Sequence, residues 1–240
     1  MSEPVWLKEV ECKACGRKFI TPRLRLTSLR VKSGASDFHK VYEGLSPILY
    51  AVTSCPDCNY SARNEDFDKQ ELHYHPEVVK MAQAIKQSGK NHVFPETKEI
   101  SPEEAVKKHL LAISFYKHYK PENPNTISGL YMHVAWIYRE NNNNEKEKEF
   151  MAHALEHYIK TFEKGHYIPE KLGEPGIMYL IGELNRLLGN NNEAVKWFSR
   201  ALQSTHITNF PGIENMAREA WEKITEEKRK IKQDINTGGS

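Results

Sequence analysis

Apolar positions change their period once along this chain, near residue 76, separating a β-rich beginning from a helical remainder. In the first part apolar residues come in short runs: Val5-Trp6-Leu7 and Val10, then Phe19-Ile20. Short runs of this kind predict strands, here a hairpin that runs out before residue 12 and returns after residue 18. Ile48-Leu49-Tyr50-Ala51-Val52-Thr53 predicts a further strand. From Pro76 the spacing is helical. Pro76 to Ser88 predicts a first helix that buries Val79, Met81, Ala82 and Ile85 and ends at Gly89. Ser101-Pro102-Glu103-Glu104 is a helix start: a capping serine, proline in the first turn, and acids at the positive helix end. The helix it opens runs through Ala105 to Tyr119 and stops before Pro121.

Residues 128–208 contain an internal repeat. Its clearest copy, Pro175 to Thr208, has Gly182, a Gly189-Asn190-Asn191-Asn192 corner followed by Glu193-Ala194, then Phe198 and Ala201. Small residues at such places let two antiparallel helices touch. This is the tetratricopeptide pattern, with Met178 and Asn185 where bulkier aromatics are common. An earlier copy has Ala135 in place of Gly182, Tyr138, and a corner at Asn141–Asn144; an insertion delays its second helix to Ala154 and Tyr158. Glu104-Ala105, His109 and Ala112 resemble the second helix of a copy before that. Ile213 to Ile235 predicts a capping helix with Met216, Ala220, Trp221 and Ile224 as its apolar stripe, and a disordered tail follows at 236–240.

The chemistry-bearing signal is in the cysteines. The chain has four, Cys12 and Cys15 in one pair, Cys55 and Cys58 in the other. A two-residue spacer lets both sulfurs of a pair face one ion, and two pairs supply the four soft ligands that tetrahedral Zn²⁺ prefers. Gly16 and Asn59, which follow the pairs, tolerate the positive φ such a knuckle needs. The rival readings are a disulfide framework, which suits a small secreted chain, and a dithiol redox centre, which needs only one pair. Gly16 to Ser54 separates the pairs, so a folded segment must fill that gap. The histidines nearby are His39, His73 and His75; His39 is either a substitute ligand or a packing residue, and a closed four-thiolate site favours packing.

Composition changes this picture little. The chain has 240 residues, 28% charged and 39% hydrophobic, with a formal net charge of +2. These values fit a globular protein and give no global push toward nucleic acid or membrane. No apolar stretch is long enough to span a bilayer. The start Met-Ser-Glu-Pro-Val-Trp has no basic region followed by an apolar run, and a cytoplasmic location is expected. Cys12 to Ser36 holds basic residues and no acid, among them Arg23, Arg25 and Arg30. Such a run either offsets the charge of four thiolates or offers a surface to nucleic-acid phosphates; Asp57, Glu65, Asp66 and Asp68 dilute the latter.

Two further constellations bear on function. His153-Ala154-Leu155-Glu156-His157 fits the H-x-x-E-H arrangement of inverted zinc peptidases, but no third ligand is identifiable, and the stretch equally reads as the exposed flank of a repeat helix. Aligning Ala135 with Gly182 sets Met132, Trp136 and Arg139 opposite Tyr179, Glu183 and Arg186, each trio on one helix face. In tetratricopeptide units the first helices line the concave surface. The alignment therefore predicts a groove in which arginines and aromatics grip an acidic or phosphorylated segment of a protein partner. The plainer alternatives are a Glu183–Arg186 pair along one helix and a Trp136 that fills core.

With these stretches together, the chain resembles a bacterial family of uncharacterised proteins classified as a domain of unknown function. The matching stretches are Cys12-Lys-Ala-Cys15-Gly16 with Phe19, Asp37-Phe38 with Tyr42, Cys55-Pro-Asp-Cys58-Asn-Tyr60, Ala135-Trp136-Ile137-Tyr138-Arg139, and Tyr179-Leu180-Ile181-Gly182-Glu183-Leu184. Asn59 stands where that family usually has glycine, and Ser46 where it usually has asparagine. The resemblance implies a metal ribbon and a helical domain, and no reaction. The expected architecture is α+β: a zinc-ribbon-like module at 1–75 held by structural Zn²⁺ and a tetratricopeptide-like domain at 76–235. The expected role is a non-enzymatic adaptor for a protein partner. A nucleic-acid-binding ribbon and a metallohydrolase are the alternatives.

Overall fold

The computed structural model describes residues 3–69, 75–89, 91–119, 124–166 and 172–237. Three short antiparallel hairpins come first. β1 (Val5–Glu11) pairs with β2 (Lys18–Leu24), in a register that sets Val5 opposite Leu24 and Glu11 opposite Lys18. β3 (Val31–Gly34) pairs with β4 (Lys40–Tyr42) across a bulge between Val31 and Ser33. β5 (Val52–Ser54) pairs with β6 (Ser61–Arg63). Helices follow: α1 (Asn64–Phe67), α2 (Pro76–Gln87), α3 (Pro102–Tyr119), α4 (Pro124–Glu140), α5 (Asn144–Glu163), α6 (Gly173–Leu187), α7 (Asn191–Gln203) and α8 (Pro211–Thr237). The chain is α+β. Among the described residues, no helix is long and apolar enough to cross a membrane.

Two local expectations need correction. The strand expected over 48–53 begins only at Val52; Pro47–Tyr50 is a single 3-10 turn that buries Ile48 and Tyr50. Proline at the first position of that turn favours the helical entry over the extended one. On α2 the buried positions are Val78 and Ala82, an i, i+4 pair, whereas Val79, Met81 and Ile85 are only half-buried. The helix ends as expected at Gly89, with φ +65°. α3 also starts as expected, with the Glu104 amide donating to Ser101 Oγ at 3.1 Å. His73 and Tyr74 lie outside the described residues. So does the expected tail, apart from Asn236 and Thr237, which end α8.

The chain divides into two compact units, Met1–Phe150 and Met151–Ser240. The change from strands to helices near residue 75 falls inside the first. There α3 packs on β5, β6 and α4, and the contact is aromatic. Tyr60 stacks on Phe67 with ring centroids 5.2 Å apart and meets Phe115 of α3 edge-on at 5.2 Å. Phe67 also meets Phe19 of β2 edge-on at 5.9 Å. Tyr60, Phe67 and Phe115 are fully buried, and each aromatic pair adds about 0.5–1.5 kcal/mol beyond its area. A buried Asp66 locks the seam: it accepts from Tyr116 Oη of α3, and pairs with Arg63 at 2.7 Å and Lys69 at 2.9 Å. Burial pushes its carboxyl up, but these donors outweigh burial and hold it down to about 2.

In the second unit α6 and α7 form a helix hairpin, and α8 packs on both. Gly182 sits at the closest approach. A Cβ built there would lie 2.7 Å from the Phe198 ring and 3.3 Å from the Ala194 carbonyl. Phe198 is fully buried, so its ring has nowhere to retreat. Gly182→Ala gains about 1 kcal/mol of helix propensity but overpacks the crossing by about 1–3 kcal/mol. We expect a net loss, read as a lower midpoint in thermal or denaturant unfolding. A raised midpoint would mean that the helices separate at little cost.

Candidate metal centre

The metal candidate is built by two copies of one backbone device. At the tip of the β1–β2 hairpin, the Gly16 amide donates to the Cys12 carbonyl at 3.0 Å, and the Cys12 amide to the Arg17 carbonyl at 2.9 Å. At the tip of β5–β6, the Asn59 amide donates to the Cys55 carbonyl at 3.0 Å, and the Cys55 amide to the Tyr60 carbonyl at 2.8 Å. Gly16 at φ 74° and Asn59 at φ 58° supply the left-handed residue that reverses each chain. The reversal leaves both sulfurs of a knuckle on one side.

The two tips face each other. Cys12 Sγ lies 3.5 Å from Cys58 Sγ, and Cys15 Sγ 3.7 Å from Cys55 Sγ. All four sulfurs lie within 4.8 Å of one another. A disulfide needs about 2.05 Å, so these cysteines are free thiols and the disulfide reading fails. A tetrahedral ion with metal–sulfur bonds of about 2.3 Å needs sulfur–sulfur edges near 3.8 Å, close to the 3.5 and 3.7 Å of the two facing pairs. Cys12, Cys55 and Cys58 are buried and Cys15 is exposed. The Ala14 amide points at Cys12 Sγ, 3.4 Å away. Among the bare thiols, hydrogen bonds from Cys12 and Cys58 pull Cys55 down; Cys12 is pushed up by Cys55, and Cys58 by Cys12 first and Cys55 next. Four thiolates this close repel one another and need a cation to hold them together. It can bind a metal ion.

Asn59 does more than a glycine could. It is fully buried; its Oδ1 accepts from the His92 amide at 2.6 Å, and its Nδ2 donates to the His92 carbonyl at 2.8 Å. Asn91 Nδ2 donates to the Asp57 carbonyl at 3.2 Å, and Glu96 takes the Ile20 amide at 3.0 Å and Arg17 at 3.0 Å. Residues 91–96 thus strap both knuckles. Sequence reasoning missed this, and the one available signal was the asparagine where glycine is usual.

Two members of the basic run near the knuckles are matched by acids, Arg17 by Glu96 at 3.0 Å and Arg23 by Asp68. Arg23 pairs with Asp68 at 3.1 Å and Lys8 with the same carboxylate at 2.6 Å. Arg25 and Arg30 lie away from the buried interior. His39 is not in the sulfur cluster; it is buried, its Nε2 2.9 Å from Glu140 Oε1, and it stacks on Trp136 at 5.1 Å. Of the H-x-x-E-H stretch, His153 and Glu156 are exposed, and Glu156 pairs with Lys160 at 2.6 Å. Among the described residues, the four cysteines are the only group of three or more candidate ligands close enough to hold an ion.

The six residues expected to line a partner groove are mostly turned inward. Met132, Tyr179 and Glu183 are buried. Arg139 forks onto Asp37 at 3.0 and 2.7 Å and reaches Glu147 at 2.7 Å, and Trp136 Nε1 donates to Asp37 at 2.9 Å. Arg186 forks onto Glu183 at 2.8 and 2.6 Å, the plainer alternative for that pair. Both guanidinium groups are therefore engaged by carboxylates of their own chain, and neither trio presents a ready fork to an outside anion. No curated protein and no solved structure matched this chain. A family model described as uncharacterized protein conserved in bacteria (DUF2225) matches residues 5–224, nearly the whole length, and the chain belongs to that family.

Proposed function

We propose that this protein is a non-enzymatic adaptor. Its N-terminal zinc-ribbon-like knuckles are held by one structural Zn²⁺, and its helix hairpins, of tetratricopeptide type, receive a protein partner. The observation that carries the zinc reading is the arrangement of Cys12, Cys15, Cys55 and Cys58: four sulfurs within 4.8 Å of one another, a full ligand set that leaves a tetrahedral ion no open position for substrate. A closed thiolate site steadies a fold and has no place for a metal-bound water. The adaptor reading rests on the α6–α7 hairpin, where Gly182 lets the helices touch as the repeat pattern requires. The docking face then lies elsewhere than on the Arg139 and Arg186 forks.

Elemental analysis with an absorbance spectrum tests this. One zinc per chain is expected, without visible absorbance, and also in the His153→Ala, His157→Ala double variant. An iron–thiolate spectrum would overturn the structural-zinc reading. A second ion lost with the two histidines would revive a hydrolytic site.

A further inference from the structure

A cavity of about 360 Å³ lies within the first unit, away from the sulfur cluster. Trp136 and His133 of α4 form one wall, Phe38, Lys40 and Tyr42 of the β3–β4 hairpin another, and Arg23 of β2 a third. Among the described residues that line it, none is acidic. We propose that this cavity binds a small organic anion: a flat apolar ring system bearing a carboxylate or phosphate.

Size comes first. Sites for small molecules span about 300–1,000 Å³ and combine apolar or aromatic walls with a few polar groups, which this cavity does. Charge comes second. An aromatic cage alone would suit a cation, but Arg23 and Lys40 stand in these walls; Asp68 offsets Arg23 from behind the wall, and the charge of Lys40 at the rim favours an anion. Arg23 is held by Asp68 at 3.1 Å and donates to Asn64 at 2.7 Å, which fixes its position and shares its charge. Lys40 is exposed and supplies the cation at the rim.

Rigidity comes third. Trp136 is clamped on one side by Asp37 and on the other by the stacked ring of His39, with only 11° between the planes. Phe38, between those two residues, sits at φ 69°, a left-handed conformation that a bulky residue adopts only where its surroundings compel it. Its flanks do so: Asp37 is tied to Arg139 and His39 to Glu140. Strained residues of this kind concentrate at ligand clamps. His39 Nδ1 is buried and has no hydrogen-bond partner among the described residues, so a wall of the cavity keeps unused polar capacity. The positive φ also closes the β3–β4 turn, in which the Phe38 amide donates to the Ala35 carbonyl at 3.0 Å, and this fixes the ring in the cavity wall.

The test is a fluorescence titration of the full chain with anilinonaphthalene sulfonate at low ionic strength. It is repeated with Lys40→Glu and with Leu26→Asp, a cavity-lining residue that is 59% exposed. Both positions are exposed, and circular dichroism checks that the fold is kept. One saturable site per chain is expected, weakened about tenfold or more by either variant, since each places a negative charge at the rim. Naphthoate and adenosine monophosphate serve as carboxylate and phosphate competitors, and naphthylmethylammonium as the cationic control. Displacement by naphthoate assigns the site to organic acids and displacement by the nucleotide to phosphates; either supports the proposal. No saturable binding, binding unchanged in both variants, displacement by neither anion, or equal displacement by the cation would overturn it.

Discussion

Cys58→Ser should release the metal and unfold the first compact unit as a whole, not only its two knuckles. The magnitude decides this. Binding of a structural zinc is worth about 10 kcal/mol or more at neutral pH, and a domain's entire stability is about 5–15 kcal/mol. Little would be left to hold the hairpins against each other. The loss is then transmitted by Tyr60, which follows Cys58 closely in the chain and is the ring through which Phe67 and Phe115 are joined. With that ring freed, α3 loses the partner on which its buried face is set. Hydrogen exchange is the informative measurement: amides of β5, β6 and α3 should lose protection together, and the metal content should fall from one per chain to near zero. A chelator strong enough to strip the wild-type protein should reproduce the pattern. A variant that keeps its zinc, or loses protection in the knuckles while α3 stays protected, would show that the metal is a local clip.

The knuckles were legible because their chemistry is short-range. A two-residue spacer and a residue tolerant of positive φ are written in adjacent letters, and the backbone bonds that follow, Gly16 to Cys12 and Asn59 to Cys55, close within one turn. The strap at residues 91–96 was not legible, because Asn59 finds His92 thirty-three positions later and nothing in either residue names the other. The run from Ile48 to Thr53 failed for a different reason. A short apolar stretch buries equally well as strand or turn, and Pro47 decided between them.

The face carrying Met132, Trp136 and Arg139 is the most instructive case. Helical periodicity grouped Trp136 and Arg139 correctly, since both reach the same carboxylate. What periodicity cannot supply is the identity of the group opposite. A planar guanidinium beside an aromatic ring is as well suited to a carboxylate of its own chain as to one on a partner, and Asp37 lies 102 positions before Arg139. The pairing of Asp37-Phe38 with the later Trp136-Ile137-Tyr138-Arg139 stretch is a tertiary contact, visible in the sequence only as two motifs without a stated relation.

That contact sets the last expectation: Asp37→Ala should be among the most damaging single changes away from the cysteines. Asp37 is 1% exposed. It accepts both arms of Arg139, the indole N–H of Trp136 and, at 3.4 Å, the amide of His39. Removing one partner of such a buried pair costs about 3–5 kcal/mol, because the other is left desolvated without its counter-charge. Glu147 still holds Arg139 at 2.7 Å, which places the loss at the lower end. The carboxylate's pH dependence gives an independent check. Burial opposes its ionisation, but the Arg139 fork and the Trp136 donor prevail, so its folded pKa lies below the ordinary aspartate value. For a depressed carboxylate the stabilisation is fully present above the unfolded value, near 3.9, and is lost progressively as the pH falls through the folded one. Wild-type protein should therefore lose stability in acid more steeply than Asp37→Ala, and the two denaturation midpoints should converge as the pH drops. Asp66, held down to about 2, adds its own acid sensitivity to both proteins equally and cancels in the comparison. Midpoints that stay parallel from neutral pH into acid would mean that the charge of Asp37 contributes nothing and that its shape alone is required.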